Sequence, residues 1–351
     1  MYPCLTIDLK KISHNAKALV EICKSYNISV TGVSKVFAAD KKITETMTIN
    51  AIDFLADSRI QNLKKLQQFK LEKVLLRIPM QSEVSEVVKY SDISLNSNIQ
   101  TIKKLNIATQ KLNKVHKIIL MIDLGDLREG IMFDNEKLIF DFVKTVLDSE
   151  FLNFEGIGTN LTCFAGVLVS RNNMNKLVNI AKSINQNFDI DINTISGGNS
   201  SSISFLDSLP NEINNLRLGE SIVLGRETAF GKNITGTYQD AFKLEAEIIE
   251  IFNKPSFPIG ETGMNAFGGK TESKDRGIIC HALLAIGKQD INPNSIFPID
   301  NKVNIIGASS DHLVLEIKNT DYKVGDIISF SLNYESLLRA MTSNYIEKVY
   351  I

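Results

Sequence analysis

Apolar and polar positions follow two alternating periods along the first two thirds of the chain. Segments such as ISHNAKALVEICKSY carry apolar side chains at helical spacing, with Ala16, Leu19, Val20 and Cys23 on one stripe. Short β-branched runs such as ISVTGVSK and HKIILMIDLG separate these segments and are typical of buried strands. From Ile12 to about Arg226 the alternation gives about eight strand–helix units of roughly 25 residues, which predicts an α/β fold built on a parallel (β/α)8 barrel.

A doubly wound open sheet has the same alternation and is the alternative architecture. A dinucleotide-binding sheet of that kind places a GxGxxG motif directly after its first strand. The chain has no such motif at that place, and this favours the barrel.

The pattern changes after about Thr235. Strand-like segments with turn residues between them replace the alternation, and only YESLLRAMTS is typical of a helix. We therefore predict a barrel over residues 9–230 and a mainly β domain over residues 231–351. The opening segment PCLTIDL is extended, and residues 1–8 are predicted to add a strand to the β domain.

Composition narrows the classes of partner. The 39 Lys and Arg residues nearly balance the 40 Asp and Glu residues and form no basic stripe, which argues against a nucleic-acid partner. The four cysteines lie far apart and form no CxxC pair, so neither a disulfide framework nor a metal site is expected. The chain shows no signal-peptide pattern and no apolar run of membrane-spanning length, which predicts a cytoplasmic protein without a membrane partner.

Barrel enzymes carry their active site at the C-terminal ends of the strands. The residues that end the successive predicted strands are therefore the candidates for chemistry. They are Lys35, Asp57, Arg59, Arg77, Asn96, Asp123, Gly125, Arg128, Asn160, the run from Ser196 to Ser200, Arg217 and Gly219.

The segment ISGGNSSS, residues 195–202, is one of two features that stand out. Two glycines permit a close approach of the backbone, and three serines offer hydroxyl and N–H donors. Together with Gly219 and a helix predicted to start just after the serines, this segment is typical of a barrel phosphate site. A plain glycine-rich turn with a serine cap is the alternative interpretation.

Lys35 is the second feature, because a lysine is costly to bury and does not help packing at the end of a strand. A lysine at a barrel mouth near a phosphate site is suited to form a Schiff base with a phosphorylated aldehyde. An exposed lysine whose ammonium group reaches solvent is the alternative.

Taken in order, these segments resemble the alanine racemase-like family of enzymes that use pyridoxal 5′-phosphate (PLP), known as fold type III. In that family a (β/α)8 barrel is followed by a β domain, and the resemblance covers nearly the whole chain. GVSKVFAAD is similar to the motif with the PLP lysine, and MIDLGDLREGI is similar to the fifth-strand segment. The ornithine-racemase-type branch is the most similar one, on the segments GVSKVFAADKKI, LADSRIQNL, GRETAFG, IGETGMNAFG and GASSDHL.

The resemblance implies roles for three cationic residues. Lys35 binds the cofactor aldehyde and then serves as one acid/base. Arg128 bonds the phenolic oxygen of the cofactor and helps to hold the substrate carboxylate. Arg217 faces the pyridine nitrogen. An arginine stays protonated and donates to that nitrogen, so the ring is a weaker electron sink, which suits simple removal and return of the α-proton.

The resemblance also implies how the phosphate is held. Its ligands are the Ser200 side chain and the backbone N–H groups of Gly219 and Glu220, with Asn199 beside them. Tyr345 reaches the phosphate from near the C-terminal end of the chain.

Racemisation needs an acid/base on each face of the planar carbanion. In the family the second one is a tyrosine from the β domain of the partner subunit, and the matching stretch here, KPSFPIGETGMNAFG, has no tyrosine. Asn160 stands where the family has the histidine that supports this tyrosine. The candidates for the second acid/base stay open and are Asp311, His312, Tyr334 and Cys163.

Asp311 also matches a family position near the substrate carboxylate. A carboxylate there, or at Glu261, is suited to bind the side-chain ammonium of a basic substrate. The resemblance thus implies an isomerase, a PLP-dependent amino-acid racemase for ornithine or a similar basic amino acid.

Other functions are compatible with the same fold. They are a racemase of alanine or another amino acid, a PLP-binding protein without turnover, and a PLP-dependent aldolase or decarboxylase. The short PLP-binding relatives lack a β domain, so the long segment beyond Gly225 argues against that class. The resemblance further implies a head-to-tail homodimer whose two active sites are shared between subunits.

Overall fold

The structure is a computed structural model that describes residues 1–265, 267–269, 274–318 and 321–351. The chain divides into two compact units. One is the continuous segment Leu9–Gln239, and the other combines Met1–Asp8 with Asp240–Ile351. The change of unit thus falls between residues 239 and 240, whereas the sequence pattern placed it between residues 230 and 231.

The first part of the chain alternates strands and helices. In chain order these are β1 (Cys4–Ile7), α1 (Leu9–Ser25), β2 (Ser29–Val33), α2 (Lys41–Thr48), β3 (Phe54–Asp57), α3 (Ile60–Lys65), β4 (Lys73–Leu75), α4 (Val84–Tyr90), β5 (Ile93–Asn96), α5 (Ile99–Leu112), β6 (His116–Asp123), β7 (Ile131–Met132), α6 (Glu136–Leu147), β8 (Leu152–Gly158), α7 (Arg171–Phe188), β9 (Thr194–Asn199), β10 (Asn215–Leu218) and α8 (Glu220–Leu224).

Eight of these strands close into a barrel, which confirms the predicted (β/α)8 architecture. The strand order is β2, β3, β4, β5, β6, β8, β9 and β10, and every neighbouring pair is parallel. Pairing of β10 with β2 closes the circle, with Arg217 opposite Thr31. The short β7 pairs with the end of β6.

Alternate residues of the strands fill the barrel. Ile93 and Leu95 in β5, and Ile119 and Met121 in β6, lie two residues apart and therefore point to the same side of their strands. They form one buried cluster with Val33, Ala56 and Val74 from the preceding strands. Because side chains from five consecutive strands converge there, this cluster lies inside the barrel.

The helices cover the barrel through their apolar stripes. In α1 the buried residues include Ile12, Ala16, Leu19 and Cys23, spaced at three and four residues. The helix α7 begins at a capping box, in which the Ser170 hydroxyl accepts the backbone N–H of Asn173 and the Asn173 side chain accepts that of Ser170.

The second unit is a mainly antiparallel sheet. Its elements are β11 (Phe242–Pro255), β12 (Ile278–Leu284), β13 (Ile296–Pro298), β14 (Val303–Ala308), β15 (Leu313–Ile317), β16 (Ile327–Leu332), α9 (Tyr334–Thr342) and β17 (Glu347–Tyr350). The strand order is β13, β16, β11, β12, β15 and β14. The first strand, β1, belongs to this sheet and pairs antiparallel with β11 and parallel with β17. None of the described helices has the length and apolar character that a membrane crossing requires.

The segment after ISGGN differs from the predicted helix. Residues Ser200–Ser208 form 3-10 helix rather than α-helix. The Ser202 hydroxyl donates to the Gly197 carbonyl at 2.7 Å, and the Asn199 side chain accepts the backbone N–H of Ser201 at 2.8 Å. Such short bonds between side chain and backbone compete with α-helical ones.

Candidate active site

Lys35 lies two residues after the end of β2, at the end of the barrel where all eight strands terminate, and it is exposed. It begins a 3-10 turn, Lys35–Phe37, after which Ala38 and Ala39 have positive φ angles of 51° and 55°. Two consecutive alanines in the left-handed region mark a tight turn that costs backbone strain. The lysine therefore sits on a sharply defined turn at the barrel mouth.

A buried carboxylate anchors the backbone before Lys35. The Ser34 hydroxyl donates to the Asp57 carboxylate at 2.6 Å, and Asp57 lies at the end of the next strand. Asp57 also accepts the backbone N–H of Arg59 at 2.9 Å and the Asn62 amide at 3.1 Å. Burial raises the pKa of Asp57, against the effect of these hydrogen bonds. Asp57 thus joins the ends of β2 and β3 in one hydrogen-bonded unit.

Arg217 projects from β10 and is almost completely buried, with 5% exposure. Its terminal nitrogens donate to the Ser196 hydroxyl, to the Thr159 carbonyl at 2.5 Å and to the Asn160 side-chain oxygen at 2.8 Å. Burial lowers the pKa of Arg217 to about 10, so the guanidinium remains charged at neutral pH. Within the part of the chain that the structure describes, its Nε donates to no protein group.

A chain of polar side chains below Arg217 fixes its position. Ser196 donates to the Asn215 side chain at 2.6 Å, and Asn215 donates to the Thr31 hydroxyl at 3.0 Å. These residues come from β9, β10 and β2, so three neighbouring strands hold the buried arginine.

Arg128 follows β6 and pairs with its sequence neighbour. Its Nε donates to one carboxylate oxygen of Glu129, and one terminal nitrogen donates to the other oxygen at 2.6 Å. The Asn160 amide donates to the same Glu129 carboxylate, and its oxygen accepts from Arg217. The two arginines are therefore connected through Glu129 and Asn160.

The predicted phosphate site lies where β9 and β10 end. Gly198 has a φ of 112°, which residues with a side chain rarely adopt. The backbone turns at this glycine and leads into the serine run, Ser200–Ser202. The Ser200 hydroxyl accepts the backbone N–H of Ser221 at 3.2 Å and lies 3.5 Å from that of Gly219. A Cβ on Gly219 would lie 3.1 Å from the Val33 Cβ, so a glycine permits this close approach of β10 to β2.

Glu220 brings an acidic group to the same place as the first residue of α8. Burial raises its pKa to about 7, while the positive charges of Arg226 and Lys35 act in the opposite direction. Lys35 thus favours the ionised form of this carboxyl group, as Arg226 does.

Cys163 lies on the loop after β8. The buried Asp126 carboxylate fixes this loop by accepting the backbone N–H groups of Cys163, Phe164 and Val167 at 2.9–3.1 Å. The Cys163 sulfur accepts from the Asn199 amide at 3.2 Å.

The thiol of Cys163 is influenced by two of the predicted catalytic residues. The residue as a whole is exposed, yet its thiol faces protein groups and burial raises its pKa. The charges of Arg128 and Lys35 act to lower it. Cys163 is therefore within electrostatic range of both cations.

The barrel unit contains most of the predicted site residues and links them. Hydrogen bonds through Glu129 and Asn160 connect Arg128 with Arg217. Contacts also join Ser200 to Gly219 and Asn199 to the Cys163 loop, and the charge of Lys35 acts on Cys163 and Glu220. Their assigned roles remain predictions.

Asp311 and Tyr345 belong to the other compact unit. The Asp311 carboxylate accepts from the Ser310 hydroxyl at 3.2 Å and contacts His312 at 3.0 Å. The hydrogen bond from Ser310 leads the effects that hold the pKa of Asp311 below its ordinary value. Tyr345 is 68% exposed. In the tyrosine-free stretch, residues 254–268, Ala266 lies outside the described residues.

The barrel mouth has the donor set that a phosphorylated aldehyde with a ring nitrogen requires. The Ser200 hydroxyl and a glycine-lined turn are suited to a phosphate ester, and the Nε of Arg217 is available to a ring nitrogen. Glu220 does not prevent anion binding, because a carboxyl group with a pKa of about 7 becomes neutral readily beside a phosphate.

Sequence reasoning missed two acidic residues of the site and gave no role to a third. Glu129, Asp126 and Asp57 hold Arg128, the Cys163 loop and the turn before Lys35. Asp57 stood among the residues at strand ends but was given no role. The signal for Glu129 was its position directly after Arg128 in DLREG.

Comparison with known proteins identifies the family of the chain. Residues 7–227 match the family model described as alanine racemase, N-terminal domain. An ornithine racemase from Acetoanaerobium sticklandii is 48% identical over 99% of both chains. A lysine racemase from Thermotoga maritima is 39% identical over 100% of this chain and 99% of its own.

Solved structures share the fold at low sequence identity. An alanine racemase from Bartonella henselae with covalently bound pyridoxal phosphate superposes with a TM-score of 0.75 at 18% identity. The match covers 99% of each chain. At this identity the similarity shows the fold alone.

Proposed function

This chain belongs to the alanine racemase family, and we propose that it is a PLP-dependent racemase of a basic amino acid, with ornithine as the leading substrate. The family prediction made from the sequence motifs is thereby confirmed. The observation that carries the proposal is that the buried Arg217 lies at the same end of the barrel as Lys35 and the predicted phosphate site at Ser200 and Gly219.

The chemistry that PLP supplies when bound is an electron sink that acidifies the α-proton of an amino acid. Ser200 and the backbone at Gly219 and Glu220 would hold its phosphate, with Asn199 beside them, and Tyr345 is proposed as a further phosphate ligand. Arg217 would donate from Nε to the ring nitrogen, because it is charged and three other bonds already fix its terminal nitrogens.

Lys35 would move the proton on one face of the substrate. Its amine accepts the proton from Cα and, in the reverse direction, returns it. Arg128 would bind the substrate carboxylate, since a guanidinium recognises a carboxylate through two parallel N–H donors. The carboxylate bond fixes which face of Cα is turned to Lys35.

The opposite face needs a second acid/base, and four residues remain candidates. Cys163 lies in the barrel unit within range of Lys35, and its raised pKa keeps the thiol protonated and able to donate. Asp311, His312 and Tyr334 lie in the other unit. Asp311 stays ionised, since its pKa is lowered, and together with Glu261 it is a candidate for binding the substrate's side-chain ammonium.

The family also supports a homodimer with shared active sites as part of the proposal. The β unit carries exposed apolar side chains on β11, β12 and the segment between them: Phe252, Ile259, Met264, Phe267 and Ile278 are all at least 54% exposed. A partner subunit that covered them would remove a large apolar area from water.

The test is an absorption spectrum of the purified protein after incubation with PLP, followed by chiral analysis with L-ornithine and L-lysine. We expect a visible band from lysine-bound cofactor and formation of the D-enantiomer. The Lys35→Ala variant should lose both, whereas Lys104→Ala, on the outer helix α5, should keep both.

The two readouts separate the parts of the proposal. Absence of the band in the wild-type protein would refute the cofactor assignment. A band without racemisation of either basic amino acid would refute the reaction and its substrate class.

A further inference from the structure

Glu129 is the residue through which the two arginines of the site are connected. Its side chain is 17% exposed and accepts from Arg128 with both oxygens. One of these oxygens also accepts from the Asn160 amide. Gly130 follows with a φ of 128°, and a Cβ there would lie 2.5 Å from the Asp123 nitrogen, so the backbone turns tightly just after Glu129.

The pairing determines which edge of Arg128 is available. A guanidinium has five N–H donors in a rigid plane. Glu129 engages the edge formed by Nε and one terminal nitrogen. No group of the described residues engages the other edge, which is therefore left to bind an incoming carboxylate. Rotation of the plane would break the bonds to Glu129.

The same carboxylate determines the orientation of the Asn160 amide. An ionised carboxylate only accepts hydrogen bonds, so the NH2 group of Asn160 must face Glu129. Its oxygen then faces the opposite way and accepts from Arg217 at 2.8 Å. A reversed amide would present its NH2 group to a guanidinium, which has no acceptor.

The negative charge of Glu129 also stabilises the protonated form of Arg217. Arg217 is buried, and the positive charge of Arg128 disfavours its protonated form. Glu129 opposes this effect as a negative charge between the two cations.

We propose that Glu129 is a positioning residue that orients Arg128 directly and Arg217 through Asn160, so that the two arginines act as one unit. This inference rests on the proposed racemase function and deepens it.

The first test is a mutant cycle with Glu129→Gln and Asn160→Ala. Each change breaks the hydrogen bond between Glu129 and Asn160. Each should therefore lower kcat/KM by about 100-fold, as the displacement of a catalytic group does. The double variant should be no worse than the more damaged single variant. Glu136→Gln, an exposed carboxylate at the start of α6, is the control and should leave kcat/KM unchanged.

The second test measures binding through the visible spectrum instead of turnover. Glu129→Gln should weaken the binding of ornithine, whose carboxylate needs Arg128. It should leave the binding of 1,4-diaminobutane unchanged, because this diamine has no carboxylate. General damage to the site would weaken both ligands equally.

Failure of the positioning role of Glu129 can be distinguished from failure of the proposed racemase function. A wild-type protein without the visible band or without racemisation would refute the proposed function first. An active wild-type protein whose two single variants have multiplicative effects on kcat/KM, or whose Glu129→Gln variant loses both ligands equally, would refute the positioning role alone.

Discussion

At the scale of single residues, burial decides the charge of Glu220. The positive charges of Arg226 and Lys35 favour the ionised form, but they do not overcome the loss of water around the carboxyl group, and the negative charge of Glu227 adds to the effect of burial. The native state therefore keeps this proton up to about pH 7, while the unfolded chain releases it near pH 4.5. Between these values the native state binds more protons, so the free energy of unfolding falls as pH rises.

Glu220→Gln is expected to remove this pH dependence in the protein without cofactor. The variant should be more stable than wild type at pH 8, by at most about 3 kcal/mol, because the wild-type carboxylate is then ionised and partly buried. At pH 4.5 the difference should be small. Urea unfolding at both pH values measures it, with exposed Glu150→Gln as the control. An equal gain at both pH values would show that ionisation is not the cause.

At the scale of elements, the turn from β9 into the serine run determines the shape of the predicted phosphate site. Gly198 combines a φ of 112° with a neighbour, the Ser202 hydroxyl, that would lie 3.0 Å from an added Cβ. A side chain at position 198 would therefore displace either the backbone at Asn199 or the side chain of Ser202.

Gly198→Ala should cost about 1–3 kcal/mol of unfolding free energy, as expected for a side chain forced into this backbone region. PLP should also bind more weakly, because the turn that carries Ser200 is displaced. Gly307→Ala is a matched control in β14, where a Cβ would meet nothing within 4 Å. Equal stability of the two variants in urea unfolding would contradict the argument.

The sequence predicted the order of elements because each strand and helix carries its own period. Lys35, Arg128 and Arg217 were found at strand ends for the same reason, since the ends of parallel strands converge. The 3-10 conformation of Ser200–Ser208 was not predicted, because it depends on bonds of side chains to nearby backbone.

The contact between Glu129 and Asn160 could not be predicted from the sequence either. It joins two loops 31 residues apart, and it exists only after β6 and β8 are paired in the observed register. Spacing along the chain gives the place of a residue on a strand, but not the direction of a side chain on the loop that follows.

At the scale of the whole molecule, the proposed homodimer predicts that activity depends on protein concentration. Ile278→Lys introduces a charge on an apolar side chain that is 68% exposed in the subunit, so the subunit should still fold. A charge placed in the interface should weaken dimerisation by about 2 kcal/mol or more. Sedimentation and assays over a dilution series would then show dissociation and loss of racemisation together.

Ile49→Lys is the control for this experiment, because Ile49 is 73% exposed on the barrel unit. It should leave both the oligomeric state and the activity unchanged. A fully active monomer of either variant would refute shared active sites.

The pairing of β1 with β17 has a consequence for how the protein is made. Residues 4–7 leave the ribosome long before their parallel partner, residues 347–350. At typical rates of translation this delay is on the order of tens of seconds. The barrel segment can fold in that interval, whereas the edge of the first strand that pairs with β17 keeps unpaired backbone groups that other nascent chains could pair with. This edge of the first strand is therefore protected from such pairing once residues 347–350 have emerged.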